Sequence, residues 1–131
     1  MKQKASEFTI PLHPTPHQIE AMLATCSNQI ATLADKLTQY KSDVAIKDTA
    51  YKRALARAII ASRGNGVPAS IVTKTVEADE AVIEARDALD IANAIYELAK
   101  GEFDGWESHF VALRKIAEIR KTEMHTGTGP R

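Results

Sequence analysis

The stretch Ser62-Arg63-Gly64-Asn65-Gly66-Val67-Pro68 decides the fold. Glycine reaches left-handed conformations without a Cβ penalty, and proline lacks the amide hydrogen that a continuing helix needs. The segment therefore ends one helix and turns the chain. Two long amphipathic runs flank it, so the bend predicts a helical hairpin.

Upstream, Ile19, Leu23, Cys26, Ile30, Leu33, Leu37, Tyr40 and Val44 recur at alternating spacings of four and three. That is a heptad seam, the pattern of a coiled-coil helix. Lys47 breaks the seam, and Tyr51, Leu55 and Ile59-Ile60 resume an apolar face. The helix is expected to start at Thr15-Pro16-His17-Gln18, with Thr15 as N-cap, Pro16 in the first helical position and Gln18 closing a capping box. Before it, Pro11 and Pro14 and the alternation Phe8, Ile10, Leu12 give an extended arm over residues 1–14, available to pack on a neighbour.

Downstream, Ser70 or Thr73 is the expected cap of the second helix. Its seam runs through Val82, Ala85, Leu89, Ala92, Tyr96, Ala99, Phe103, Trp106, Phe110, Leu113 and Ala117, and Ile91, Ile95, Leu98 and Ile116 widen the stripe. A stripe this wide exceeds what one hairpin partner covers. Leu89, Tyr96, Phe103, Trp106, Phe110 and Leu113 are therefore the predicted oligomerisation residues. Gly101 and Gly105, one turn apart, predict a kink or a break that sets off a separate C-terminal helix. The helical domain spans 15–124, and 125–131 reads as a flexible tail. The fold class is all-α: a long antiparallel helical hairpin with a C-terminal helix, oligomerising through helix packing.

Composition narrows the function classes. With 131 residues and 17 cations against 17 acids, the chain is one domain at most and carries no net charge. No apolar run reaches the roughly 18 residues of a membrane span, and no signal peptide is evident, which predicts a cytoplasmic protein without a membrane partner. Cys26 is alone, a core residue by its seam position. His13, His17, His109 and His125 lack metal-ligand spacing, and no phosphate loop or nucleophile motif occurs, so no enzyme and no cofactor is expected.

Zero net charge conceals segregation. From Lys41 to Lys74 there are seven cations and two acids, 7 − 2 = +5; from Glu77 to Glu107 there are two cations and ten acids, 2 − 10 = −8. Pairing of a basic helix with an acidic one across the hairpin accounts for most of these charges. It does not account for Lys52, Arg53, Arg57 and Arg63, crowded before the bend where the acidic run has not begun. Converging cations of this kind suit phosphates. Tyr51 beside them is either a core residue, from its seam position, or a platform for a stacked base.

Two stretches resemble the UvsY-like recombination mediators of bacteriophages. Tyr51-Lys-Arg-Ala-Leu-Ala-Arg57 followed by Ser62-Arg-Gly-Asn-Gly66 is similar to that family's basic helix end running into a glycine bend. Lys74-Thr-Val-Glu-Ala-Asp79, Val82, Leu89, Ala112-Leu-Arg-Lys-Ile116 and Ile119-Arg120 resemble its last helical region, so the likeness covers residues 40–120. The resemblance implies binding of single-stranded DNA through Lys52, Arg53, Arg57 and Arg63, and self-assembly as a hexamer or heptamer. It also implies work beside a RecA-type recombinase and a single-strand binding protein in DNA recombination and repair. The rival expectation is a coiled-coil adaptor or phage assembly factor that does not bind nucleic acid.

Overall fold

A computed structural model describes residues 3–126. A short 3-10 turn, Ala5–Glu7, precedes three helices: α1 (Pro16–Gly64), α2 (Val72–Glu77) and α3 (Glu80–Thr126). No strand occurs among the described residues, and the two long helices pack against each other. The all-α expectation holds. The chain forms two compact units, one of Met1–Lys36 with Ala99–Arg131 and one of Leu37–Leu98.

The start of α1 follows its sequence signal. Gln18 N–H donates to Thr15 Oγ1 at 3.1 Å, and Thr15 N–H donates to Gln18 Oε1 at 2.8 Å. This reciprocal box satisfies two amides that a helix start otherwise leaves open. The end of α1 is a Schellman turn: Val67 N–H donates to Ser62 O at 3.0 Å and Gly66 N–H to Arg63 O at 3.1 Å. Gly66 alone among the described residues has a positive φ, 79°. It is the position at which a Cβ would be strained.

In the Leu37–Leu98 unit the core holds Ala58 from α1, Val72 and Val76 from α2 and Val82 from α3, with Tyr51, Ala54, Leu55 and Val67 against them. Ser70 does not cap the second helix; α2 has Ile71 at its N-cap with no side-chain hydrogen bond. The cap belongs to Asp79, whose Oδ1 accepts from Ala81 N–H at 2.9 Å and Val82 N–H at 3.2 Å. An acidic cap also suits the positive end of the helix dipole. The expected second helix is thus divided at Ala78-Asp79 into a six-residue α2 and the long α3.

In the other unit, Cys26, Trp106 and Leu113 are fully buried, and Ile10, Met22, Leu23, Ile30, Leu33 and Phe110 pack around them with Ala5 and Phe8. Burial pushes the Cys26 thiol above its usual range, which keeps it protonated and unreactive at neutral pH. The arm is seated on α3 of its own chain. Ala5 N–H donates to Glu102 Oε2 at 2.9 Å, and His109 Nε2 donates to Ala5 O at 2.8 Å. Phe8 meets Trp106 edge to face, with ring centroids 5.1 Å apart.

The arm also explains Gly105. α3 is unbroken from Glu80 to Thr126, so the expected break at Gly101 to Gly105 and the separate C-terminal helix are absent. Of the seven residues read as a tail, His125 and Thr126 belong to α3, and 127–131 lie outside the described residues. A Cβ on Gly105 would stand 2.8 Å from Ala5 Cβ, whereas one on Gly101 would meet nothing within 4 Å. Gly105 therefore admits the arm, and Gly101 has no such neighbour. Gly101→Ala is expected to raise stability by about 1 kcal/mol through helix propensity. Gly105→Ala has the same propensity gain but is expected to lose about 1–3 kcal/mol to overpacking and to displace the arm. Trp106 is the sole tryptophan, so displacement is read as a red shift of its emission. Ala5→Gly in the Gly105→Ala background should reverse that shift; an unshifted spectrum in Gly105→Ala contradicts the account.

Candidate nucleic-acid interface

The predicted basic residues all lie on the last third of α1, within the Leu37–Leu98 unit, and all are exposed. A helix advances about 100° and about 1.5 Å per residue. Arg53 and Arg57 consequently lie about 40° apart on one side, while Lys52 and Arg63 lie about 20° apart on the adjoining flank. The cations form two neighbouring rows on the outward surface rather than one line. They are held there because Tyr51, Ala54, Leu55, Ala58 and Ser62 take the inward positions.

Their electrostatic state differs. Lys52 Nζ lies 2.9 Å from Asp48 Oδ2, with both side chains well exposed. Such an i,i+4 surface pair is worth only about 0.3–0.5 kcal/mol and is readily given up to another anion. Arg53, Arg57 and Arg63 have no acidic partner among the described residues. The expected pairing of the 41–74 cations with the 77–107 acids across the hairpin is likewise not observed among the described residues. The physical reason is placement: apart from Lys47 on the seam and Glu102, which accepts from the arm, both sets are exposed, with the apolar seam between the helices.

Exposed apolar side chains interleave with the arginines. Ile46 is 61% and Ile60 72% exposed, and both share the side of α1 that carries Arg53 and Arg57. Between Ile46 and Arg53 the surface is floored by the small residues Ala45, Thr49 and Ala50. Sequence spacing singles out neither isoleucine for this role: Ile46 falls outside the heptad, and Ile60 belongs to the apolar face that resumes after Lys47.

Tyr51 resolves toward the core. It is half-buried against Ala58, Val72 and Val82, and its open side lines a shallow cavity with Glu77, Arg86, Asp87 and Asp90. Three carboxylates beside it make this a poor seat for a base attached to a phosphate chain.

The predicted oligomerisation set divides. Trp106 and Leu113, at 1% and 0% exposure, are consumed by the intrachain core and have no surface to offer a second chain. Phe110 packs on that core, and Leu89, Tyr96 and Phe103 are half-buried. The apolar surface that remains open on α3 lies beside the seam instead, at Ile83, Ile91, Ile95 and Leu98 in one unit and at Val111, Ile119 and Met124 in the other. No described helix is long and apolar enough to cross a membrane. No family model, curated protein or solved structure matches the chain.

Proposed function

We propose that the chain is a non-enzymatic accessory protein that binds single-stranded DNA along the outer face of α1. Its role, in the manner of the UvsY-like mediators it resembles, is to prepare the strand for a RecA-type recombinase in competition with a single-strand binding protein. The observation that carries this reading is the exposure of Arg53, Arg57 and Arg63 without acidic partners. An unpaired surface arginine can meet a phosphate without first breaking an internal bond. Interleaved Ile46 and Ile60 favour a single strand over a duplex, because apolar side chains can meet the faces of unpaired bases that a duplex keeps stacked.

The test is a polarisation titration with a labelled single-stranded oligonucleotide at low salt, with a duplex of the same sequence alongside. The proposal expects saturable binding with preference for the single strand, and no binding at low salt would sink it. A coiled-coil adaptor is the second reading. It is favoured by the exposed Ile91, Ile95 and Leu98, and it expects partner binding with no response to either oligonucleotide.

A further inference from the structure

The same unit that carries the arginines carries their complement. On α3, Ile83, Asp87, Asp90 and Leu98 are all exposed and fall within about 80° of arc. On α1, Ile46, Arg53, Arg57 and Ile60 are exposed and fall within about 60°. Each face is apolar at both ends and charged between, one basic and the other acidic. The isoleucines and Leu98 are 44–75% exposed, so both faces leave apolar surface in water.

The spacing of the two patterns also agrees, in one direction. Counting forward from Ile46, the other three members stand 7, 11 and 14 residues away. Counting backward from Leu98, Asp90, Asp87 and Ile83 stand 8, 11 and 15 residues away. At about 1.5 Å per residue the largest mismatch is about 1.5 Å, within the reach of an arginine side chain. Counted forward from Ile83, the acids stand 4 and 7 residues away and match only one arginine, so the fit selects antiparallel alignment.

We infer that the outer face of α1 docks antiparallel on the outer face of α3 of a second copy of this chain. Arg53 then faces Asp90, Arg57 faces Asp87, Ile46 lies against Leu98, and Ile60 lies against Ile83. The isoleucines and leucine supply the buried area, and the charges set direction and register. The contact joins two different surfaces, so each copy keeps one face free and assembly runs head to tail, closing into a ring or continuing as a filament. The inference does not rest on the DNA reading, but it shares two arginines with it. Single-stranded DNA and the acidic face of a second copy therefore compete for α1.

Charge reversal tests this by analytical ultracentrifugation, with circular dichroism confirming that each variant folds. Wild type should associate at low salt and disperse as the Debye length falls from about 10 Å at 0.1 M to about 3 Å at 1 M. Arg53→Glu with Arg57→Glu, and separately Asp87→Lys with Asp90→Lys, should each be monomeric at low salt. An equimolar mixture of these two variants should assemble with the two alternating, since the basic α1 of one meets the acidic α3 of the other and the reversed α1 meets the reversed α3. Combining all four substitutions in one chain should restore assembly. A monomeric wild type, assembly that survives either reversal, or a mixture that stays monomeric overturns the inference. The Asp87→Lys, Asp90→Lys variant should still bind single-stranded oligonucleotide. Failure of that monomeric variant to bind oligonucleotide, with wild-type assembly intact, would count against the proposed function alone.

Discussion

Trp106→Ala should lower the stability of the unit containing the arm by about 3–5 kcal/mol, the range for deleting a large buried aromatic and leaving a cavity. Trp106 is 1% exposed and joins Phe8 of the arm, far off in sequence and met edge to face, to its own helix, where the His109 ring centroid lies 6.0 Å away. A buried aromatic removes about 150–250 Å² from water, which at about 25 cal/mol per Å² is about 4–6 kcal/mol before any relaxation. Whole domains are stable by only about 5–15 kcal/mol, so one substitution is expected to remove much of the margin. Urea unfolding followed by circular dichroism at 222 nm measures it, and Trp106→Phe should recover most of the loss. Leu12→Ala, at a position 89% exposed, should change stability by less than about 0.5 kcal/mol. Equal effects at the two positions would mean that the core has been misassigned.

The second large effect is on binding. Replacing Arg53, Arg57 and Arg63 together by Ala should weaken single-stranded oligonucleotide binding by roughly tenfold or more at low salt. It should also reduce the slope of log affinity against log salt by about 2, since each phosphate contact on a single strand contributes about 0.7. The three side chains are exposed and make no ion pair among the described residues, so helix content should be unchanged. Alanine is also the best helix former, which removes a propensity objection. A variant that binds as wild type does, with the same salt slope, would move the interface elsewhere.

The local parts of this fold were legible in the sequence. The Thr15–Gln18 box and the Gly66 turn depend on a few adjacent residues, and both form as their side chains dictate. The seam positions Ile19, Cys26, Val82, Ala92, Trp106 and Leu113 are buried, as their spacing requires. What failed depends on residues far apart. Gly105 looks like a helix breaker until Ala5, a hundred residues earlier in the chain, is seated above it. Asp79 was hidden because an acid in an acidic run reads as surface charge, although Asp before a new apolar period is also a cap signal.

The candidate site was legible in composition but not in geometry. Crowded cations before the bend identified Lys52, Arg53, Arg57 and Arg63, and all are exposed. Sequence order could not separate Tyr51, drawn into the core, from Ile46 and Ile60, left beside the arginines. Nor could a heptad count distinguish an aromatic that fills its own chain's core, such as Trp106, from one that fills a partner's.

The most direct test of the central claim is to follow the arginine side-chain Nε resonances by NMR while a single-stranded oligonucleotide is added to the Asp87→Lys, Asp90→Lys variant, which the assembly inference expects to be monomeric. Arg53, Arg57 and Arg63 should shift together with saturation, and Arg114 should stay in place. Saturating shifts confined to Arg114 and Arg120, or no shifts at all, would contradict DNA binding by the outer face of α1.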